Sequence, residues 1–153
     1  MPVDRESFVR WQEITITQLG YAVNLILSFA AASLGFLLTL LKDNDFTPRH
    51  LEKGFFDLSL VLLGLSIVSG ILCVINRLRD FRETKSIARD RARWKKKGIS
   101  GVQIDELLKP RRDDVNKLGK WTWRMFWIQL ASFSLGLLGI ILVFLSIYRA
   151  KLL

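Results

Sequence analysis

One cysteine, one histidine and three prolines are all that the 153 residues contain, and each scarcity removes a class of chemistry. A lone Cys73 cannot make an intrachain disulfide or a thiolate metal site, so packing as a small residue in an apolar run is its expected role. His50 stands near Asp43, Asp45 and Glu52 without the spacing of a metal-ligand set. The chain has no CxxC pair, no HExxH, no glycine-rich phosphate loop, and no serine or cysteine nucleophile with a histidine on the same side. No catalytic, cofactor-binding or metal-binding residue is assigned, and a non-enzymatic role is expected.

Charge is scarcest where it matters most. Three stretches, Leu19 to Leu41, Phe55 to Ile75 and Met125 to Tyr148, contain no lysine or arginine, and their single carboxylate, Asp57, sits at an entrance. Each is long enough to cross a hydrocarbon core, which needs about 20 residues. No Asp, Glu, Lys, Arg or His lies mid-span, so the relays and ion pairs of proton-coupled transporters are missing. Half of the residues are hydrophobic and 24% are charged, and the two classes are segregated along the chain. The expected fold is all-α: an integral membrane protein with three transmembrane helices, the second and third extended into a helical hairpin.

The expected organisation is an amphipathic segment at 1–18, a first span at 19–41, an external loop at 42–54, a second span at 55–76, a basic cytoplasmic hairpin at 77–123 and a third span at 124–148. The first 18 residues carry three acids and two arginines, so no cleavable signal is expected and the first span directs insertion itself. In that segment Phe8, Trp11, Thr15 and Leu19 share a helical face that lies at the interface or leads into the first span.

Orientation follows from the basic residues. Between Arg77 and Arg124 there are 16 Lys or Arg against 7 Asp or Glu, which is the whole net charge of +9. Basic loops stay in the cytoplasm, so the second connection and the N-terminus are expected inside a plasma (inner) membrane. Arg149 and Lys151 run weakly against this assignment.

Local signals divide the chain further. Thr47-Pro48 reads as a helix start, followed by a brief helix that stops at Gly54. From Phe55 to Lys97 there is one continuous helix, since nothing after Asn76 breaks it until Gly98-Ile99-Ser100-Gly101. Ser100 and Gln103 have capping spacing and open a short helix that ends at Pro110, and another begins at Asp113 or Asp114. Leu78, Phe81, Ala88 and Ala92 form one stripe and Val115, Leu118, Thr122 and Met125 another, and the two should meet as the seam of the hairpin. Ile104, Leu107 and Leu108 should complete that core. Trp121, Trp123 and Trp127 suit the headgroup level.

Each span has one small or polar face: Asn24, Ser28, Ala31, Ala32, Gly35 and Thr39 on the first; Ser59, Ser66, Ser69, Gly70, Cys73 and Asn76 on the second; Gln129, Ser132, Gly136 and Gly139 on the third. Small residues let helices approach closely. Asn24, Ser28, Asn76, Gln129 and Ser132 are the candidate intramembrane polar contacts, with Gln129 expected to pair with Asn24, Ser28, Cys73 or Asn76. Arg89, Arg91, Arg93, Lys95, Lys96 and Lys97 form the candidate basic surface, six of the nine residues in that run. Anionic lipid headgroups are its expected partner; a cytosolic protein is a further one, and nucleic acid is not expected. The leading expectation is a homo-oligomeric scaffold or adaptor. An oligomeric pore is the alternative, and a subunit of a membrane-bound enzyme the second alternative.

Overall fold

The computed structural model describes the backbone of residues 5–42 and 50–147, and the side chains from residue 14 within that range. Among the described residues there are three α-helices and no strands: α1 over Arg5–Leu40, α2 over His50–Lys96 and α3 over Gly101–Ile147. Each is long and apolar enough to span a membrane. The expected helix start at Thr47-Pro48, the side chains of Phe8 and Trp11, and Tyr148, Arg149 and Lys151 lie outside the described residues.

Two expected breaks do not occur. The helix does not stop at Gly54, because α2 begins at His50 and runs through it. A helical glycine costs only about 1 kcal/mol against alanine, and the apolar run that follows keeps the helix going. Nor does α3 end at Pro110: one helix replaces the two expected there. The proline removes one backbone donor, while on either side of it Leu108 is fully buried and Arg111 is tied by ion pairs, which holds both flanks in one register.

The chain divides into two compact units, Met1–Gly70 with Trp127–Leu153, and Ile71–Phe126. In the first, Ala30, Leu37, Phe56, Leu63, Ile140 and Val143 form the buried core, with Leu34, Leu60, Ile67 and Phe133 packed against it. Phe36 stacks on Phe144 with ring centroids 5.8 Å apart. Leu25, Phe29, Val61, Val68, Leu138 and Leu142 are exposed. In water such a surface would aggregate; in a bilayer it meets the solvent it suits.

In the second unit the turn after α2 is a Schellman motif. Gly98 adopts a φ of 78°, a left-handed conformation that glycine accepts without strain. Its N–H donates to the Lys95 carbonyl at 3.1 Å, and Ile99 N–H donates to that of Trp94 at 3.3 Å. On the far side the Ser100 hydroxyl accepts from Gln103 N–H at 3.4 Å, so the cap expected from that spacing opens α3.

Ile104 and Leu108 are buried, as expected, but Leu107 is exposed. The expected stripe on α2 is not the seam: Leu78 and Phe81 are about half exposed, at 55% and 50%, and Ala88 and Ala92 are exposed too. The less exposed side of α2 carries Asp80, Ile87, Asp90 and Trp94 instead. A charged cluster accounts for this register.

Candidate functional site

Three arrangements carry the polar chemistry. The first is the interior of the unit built from the apolar helix segments. Small side chains on α2 and α3 face inward there: Ser59, Ser66 and Ser69 are buried on α2, and Gln129 and Ser132 on α3. A Cβ added to Gly136 would stand 3.2 Å from Leu63 Cγ, and one on Gly139 would collide with the Ser59 hydroxyl. These glycines permit the close approach of α2 and α3 that small faces make possible.

Gln129 lies where all three helices meet. Its side-chain amide Nε2 donates to the Val23 carbonyl of α1 at 3.1 Å, and its own main-chain carbonyl accepts from the Ser66 hydroxyl of α2 at 3.0 Å. A carbonyl can only accept, so the orientation of the amide is fixed by its partner. The Oε1 atom is buried without a hydrogen-bond partner. The side-chain partners expected for Gln129 are therefore replaced by backbone. Asn24 and Ser28 are exposed, and Asn76 is partly buried. At one end of the same unit Ser146 Oγ donates to Glu52 Oε1 at 2.6 Å.

The second arrangement is the outward face of α1. Asn24, Ser28, Ala31, Ala32, Gly35 and Thr39 share one side of the helix, as their spacing requires, but all six are exposed. Val23, Ala30 and Leu37 make the packed side instead. Nothing lies within 4 Å of a Cβ built on Gly35. Gln18, Tyr21, Ala22, Asn24, Leu25 and Ser28 line an open groove of about 570 Å³ on this helix. Thr39 Oγ1 donates to the Phe36 carbonyl of its own helix.

The third arrangement lies in the unit of residues 71–126. Arg111 on α3 reaches α2 through three contacts: Asp90 Oδ2 at 2.7 Å, Ser86 Oγ at 2.9 Å and Glu83 Oε2 at 3.0 Å. The bonds to Glu83 and Asp90 hold its guanidinium even more firmly protonated than an ordinary arginine, against the opposing effect of desolvation. Asp105 accepts from Arg112 at 3.0 Å and faces Arg91 at 3.5 Å, so one member of the expected basic surface is already paired. Burial pushes the Asp80 carboxyl above its ordinary value, and its Oδ1 has no partner. Arg77 lies over the Phe81 ring, 5.6 Å from its centroid. Arg89, Arg93, Lys95, Lys96 and Lys97 are exposed.

Arg111 was missed by sequence reasoning because its partners are 21 and 28 residues away across a turn, and no local spacing reports them. Among the described residues no group of three or more His, Cys, Asp or Glu is placed to hold a metal ion. The class that these features define is a multi-pass helical membrane protein with a basic helical hairpin. No family model, curated protein or solved structure matches the chain.

Proposed function

We propose that the protein is a self-associating, non-enzymatic scaffold of the plasma (inner) membrane, with its N-terminus and basic hairpin in the cytoplasm, and that copies associate through the outward face of α1. The single observation that carries this reading is the phase of α1. Its one polar stripe is turned away from its own bundle, although the matching stripes on α2 and α3 are turned in. An amide exposed to hydrocarbon costs several kcal/mol when unpaired. An asparagine amide is both donor and acceptor, so Asn24 of one copy satisfies Asn24 of another across a two-fold axis. Ala31, Ala32 and Gly35 allow the backbones to come close along the same line. The hairpin's basic surface then adds attraction to anionic headgroups.

A cysteine at Ser28 tests this, since Cys73 is buried and contributes no background. Oxidative cross-linking between copies in liposomes should be efficient at Ser28 and absent at Val61, an exposed site on α2. Asn24→Leu should lower the yield. Equal cross-linking at both sites would sink the proposal.

A second reading keeps the same surface but makes it wet: copies of α1 surround an axis, and Asn24 and Ser28 line a pore. Its support is that Gln18, Tyr21, Asn24 and Ser28 bring two amides and two hydroxyls to one groove on α1. Gln129 and Ser132 are buried within the protomer and drop out of this lining. Ion flux through liposomes containing the protein, lost on Asn24→Leu while cross-linking persists, would favour the pore over the scaffold.

A further inference from the structure

The charges of the second half of α2 are sorted by helical phase. At 100° per residue, Leu78, Phe81, Arg82, Lys85, Ala88, Arg89, Ala92 and Lys96 fall within about a third of the circumference, and every one of them is exposed. The three acids after Asn76 all fall on the other side. Glu83 and Asp90 are held there by Arg111, and Asp80 is partly buried. Helical phase thus keeps every carboxylate of this stretch off the outer face, which carries a row of cations with no counter-charge from α2. Among the described residues Arg82, Lys85, Arg89 and Lys96 make no salt bridge.

The row has a period. Arg82, Lys85 and Arg89 are three and four residues apart, or about 4.5 to 6 Å along the axis. That is the spacing of carboxylates at i, i+3 and i+7 on another α-helix. Leu78, Phe81, Ala88 and Ala92 run beside the cations, which gives the surface an apolar strip as well as a charged one. Successive bases need a series of aromatic platforms to stack on, whereas this face has one aromatic, Phe81, already faced by Arg77, and Trp94 lies on the opposite side of the helix. An apolar strip beside periodic cations complements a helix with an apolar strip beside periodic acids.

We propose that this outer face of α2 docks an acidic amphipathic helix of a cytosolic protein, with its Glu or Asp side chains paired to Arg82, Lys85 and Arg89 and its apolar residues laid on Leu78, Phe81 and Ala88. The inference deepens the scaffold reading by giving the scaffold a cargo class, and it rests on the cytosolic placement of the hairpin.

The experiment uses the full chain in phosphatidylcholine nanodiscs and a fluorescent synthetic peptide of about 20 residues, long enough to be helical, with Glu at i, i+4 and Leu on one stripe. Fluorescence anisotropy should show saturable binding that weakens as salt is raised. Arg82→Ala, Lys85→Ala and Arg89→Ala together should weaken it by about tenfold or more. The same number of charges removed on α3, by Lys109→Ala, Lys120→Ala and Arg124→Ala, should leave it within about twofold. A scrambled peptide of identical composition should bind at least about tenfold more weakly. The proposal is overturned if the scrambled peptide or polyglutamate binds as well, if the α3 triple variant loses as much, or if no peptide binds. It is equally overturned if a single-stranded oligonucleotide, or phosphatidylserine in place of phosphatidylcholine, occupies the site and displaces the peptide. Circular dichroism of each variant checks that the helices persist. Cross-linking at Ser28 reports self-association by a separate readout, so loss of peptide binding with cross-linking intact counts against the docking face alone, and the reverse counts against the scaffold alone.

Discussion

Gly70 is the residue that Gln129 cannot do without: a Cβ at position 70 would stand 2.6 Å from the Gln129 Nε2 atom and 2.8 Å from Leu27 Cδ1. The amide that joins α3 to the Val23 carbonyl therefore occupies the space where a side chain on α2 would be. Leu27 is only partly buried and can shift, whereas the Gln129 amide can move only by giving up its bond to Val23.

Gly70→Ala is accordingly expected to lower stability by about 1 to 3 kcal/mol through overpacking. Gly35→Ala, with nothing near it, should leave the protomer unchanged. Thermal unfolding in detergent, followed by circular dichroism, compares the two. Equal midpoints for both variants would contradict the packing described.

Gln129→Leu removes one interhelical hydrogen bond, for a loss of about 0.6 to 1.7 kcal/mol. It also removes the unpartnered Oε1, which offsets part of that loss. The net change in unfolding free energy should therefore be small, and cross-linking between copies should be unaffected because the residue is interior. A large drop in cross-linking would place Gln129 in an interface between copies instead.

Arg111→Ala removes three of the contacts that hold α3 to α2, those to Glu83, Ser86 and Asp90. Amide hydrogen exchange should accelerate across residues 83–90 and 104–112, while residues 56–67 keep their protection. Uniform protection in the variant would show that the cluster does not hold the seam.

Asp80 gives a pH dependence whose sign can be worked out. Its folded carboxyl holds its proton to a higher pH than the unfolded one, so the unfolded state binds fewer protons in that window. Stability then falls as pH rises from about 4 through the raised value. Asp80→Asn should unfold at a higher temperature than the wild type at pH 7, and the difference should close as the pH is lowered through that window. A variant that is less stable at pH 7 would mean that the ionised carboxylate has a partner.

Topology is open to a chemical test. A cysteine at Lys96 should resist an impermeant thiol reagent in intact cells, and one at Asn44 should react. Labelling with the reverse pattern would invert the orientation drawn from the basic residues.

The three spans, the Gly98 turn and the Ser100 cap were legible in the sequence because each depends on neighbouring residues. The inward faces of α2 and α3 were legible too, since glycine and serine at small-xxx-small spacing leave few other uses for them. The phase of α1 was not. In water a polar stripe points outward by default, but in lipid it seeks another helix, which the same chain or a second copy can supply. The composition of α1 states that Asn24 and Ser28 share a face without stating where that face points. The seam of the hairpin was misread for a related reason. Leu78 and Phe81 have the more apolar stripe, yet Arg111 finds Glu83 and Asp90 on another side, and a charge cluster set the register. Pro110 was read as a stop because local rules cannot see the tertiary ties on either side of it.

The short turn after Lys96 bears on the order in which the molecule forms. The contacts of residues 71–126 join positions such as Arg111 and Asp90, 21 residues apart, whereas the bond between Gln129 and Val23 closes a separation of 106. Short loops close quickly and at low entropic cost. The hairpin is thus the part of the chain that assembles from its own sequence neighbourhood as synthesis proceeds. The bond that ties the first helix to Gln129 must wait until the last helix has been made, and during that interval the inward side of the first helix has only α2 to pack on.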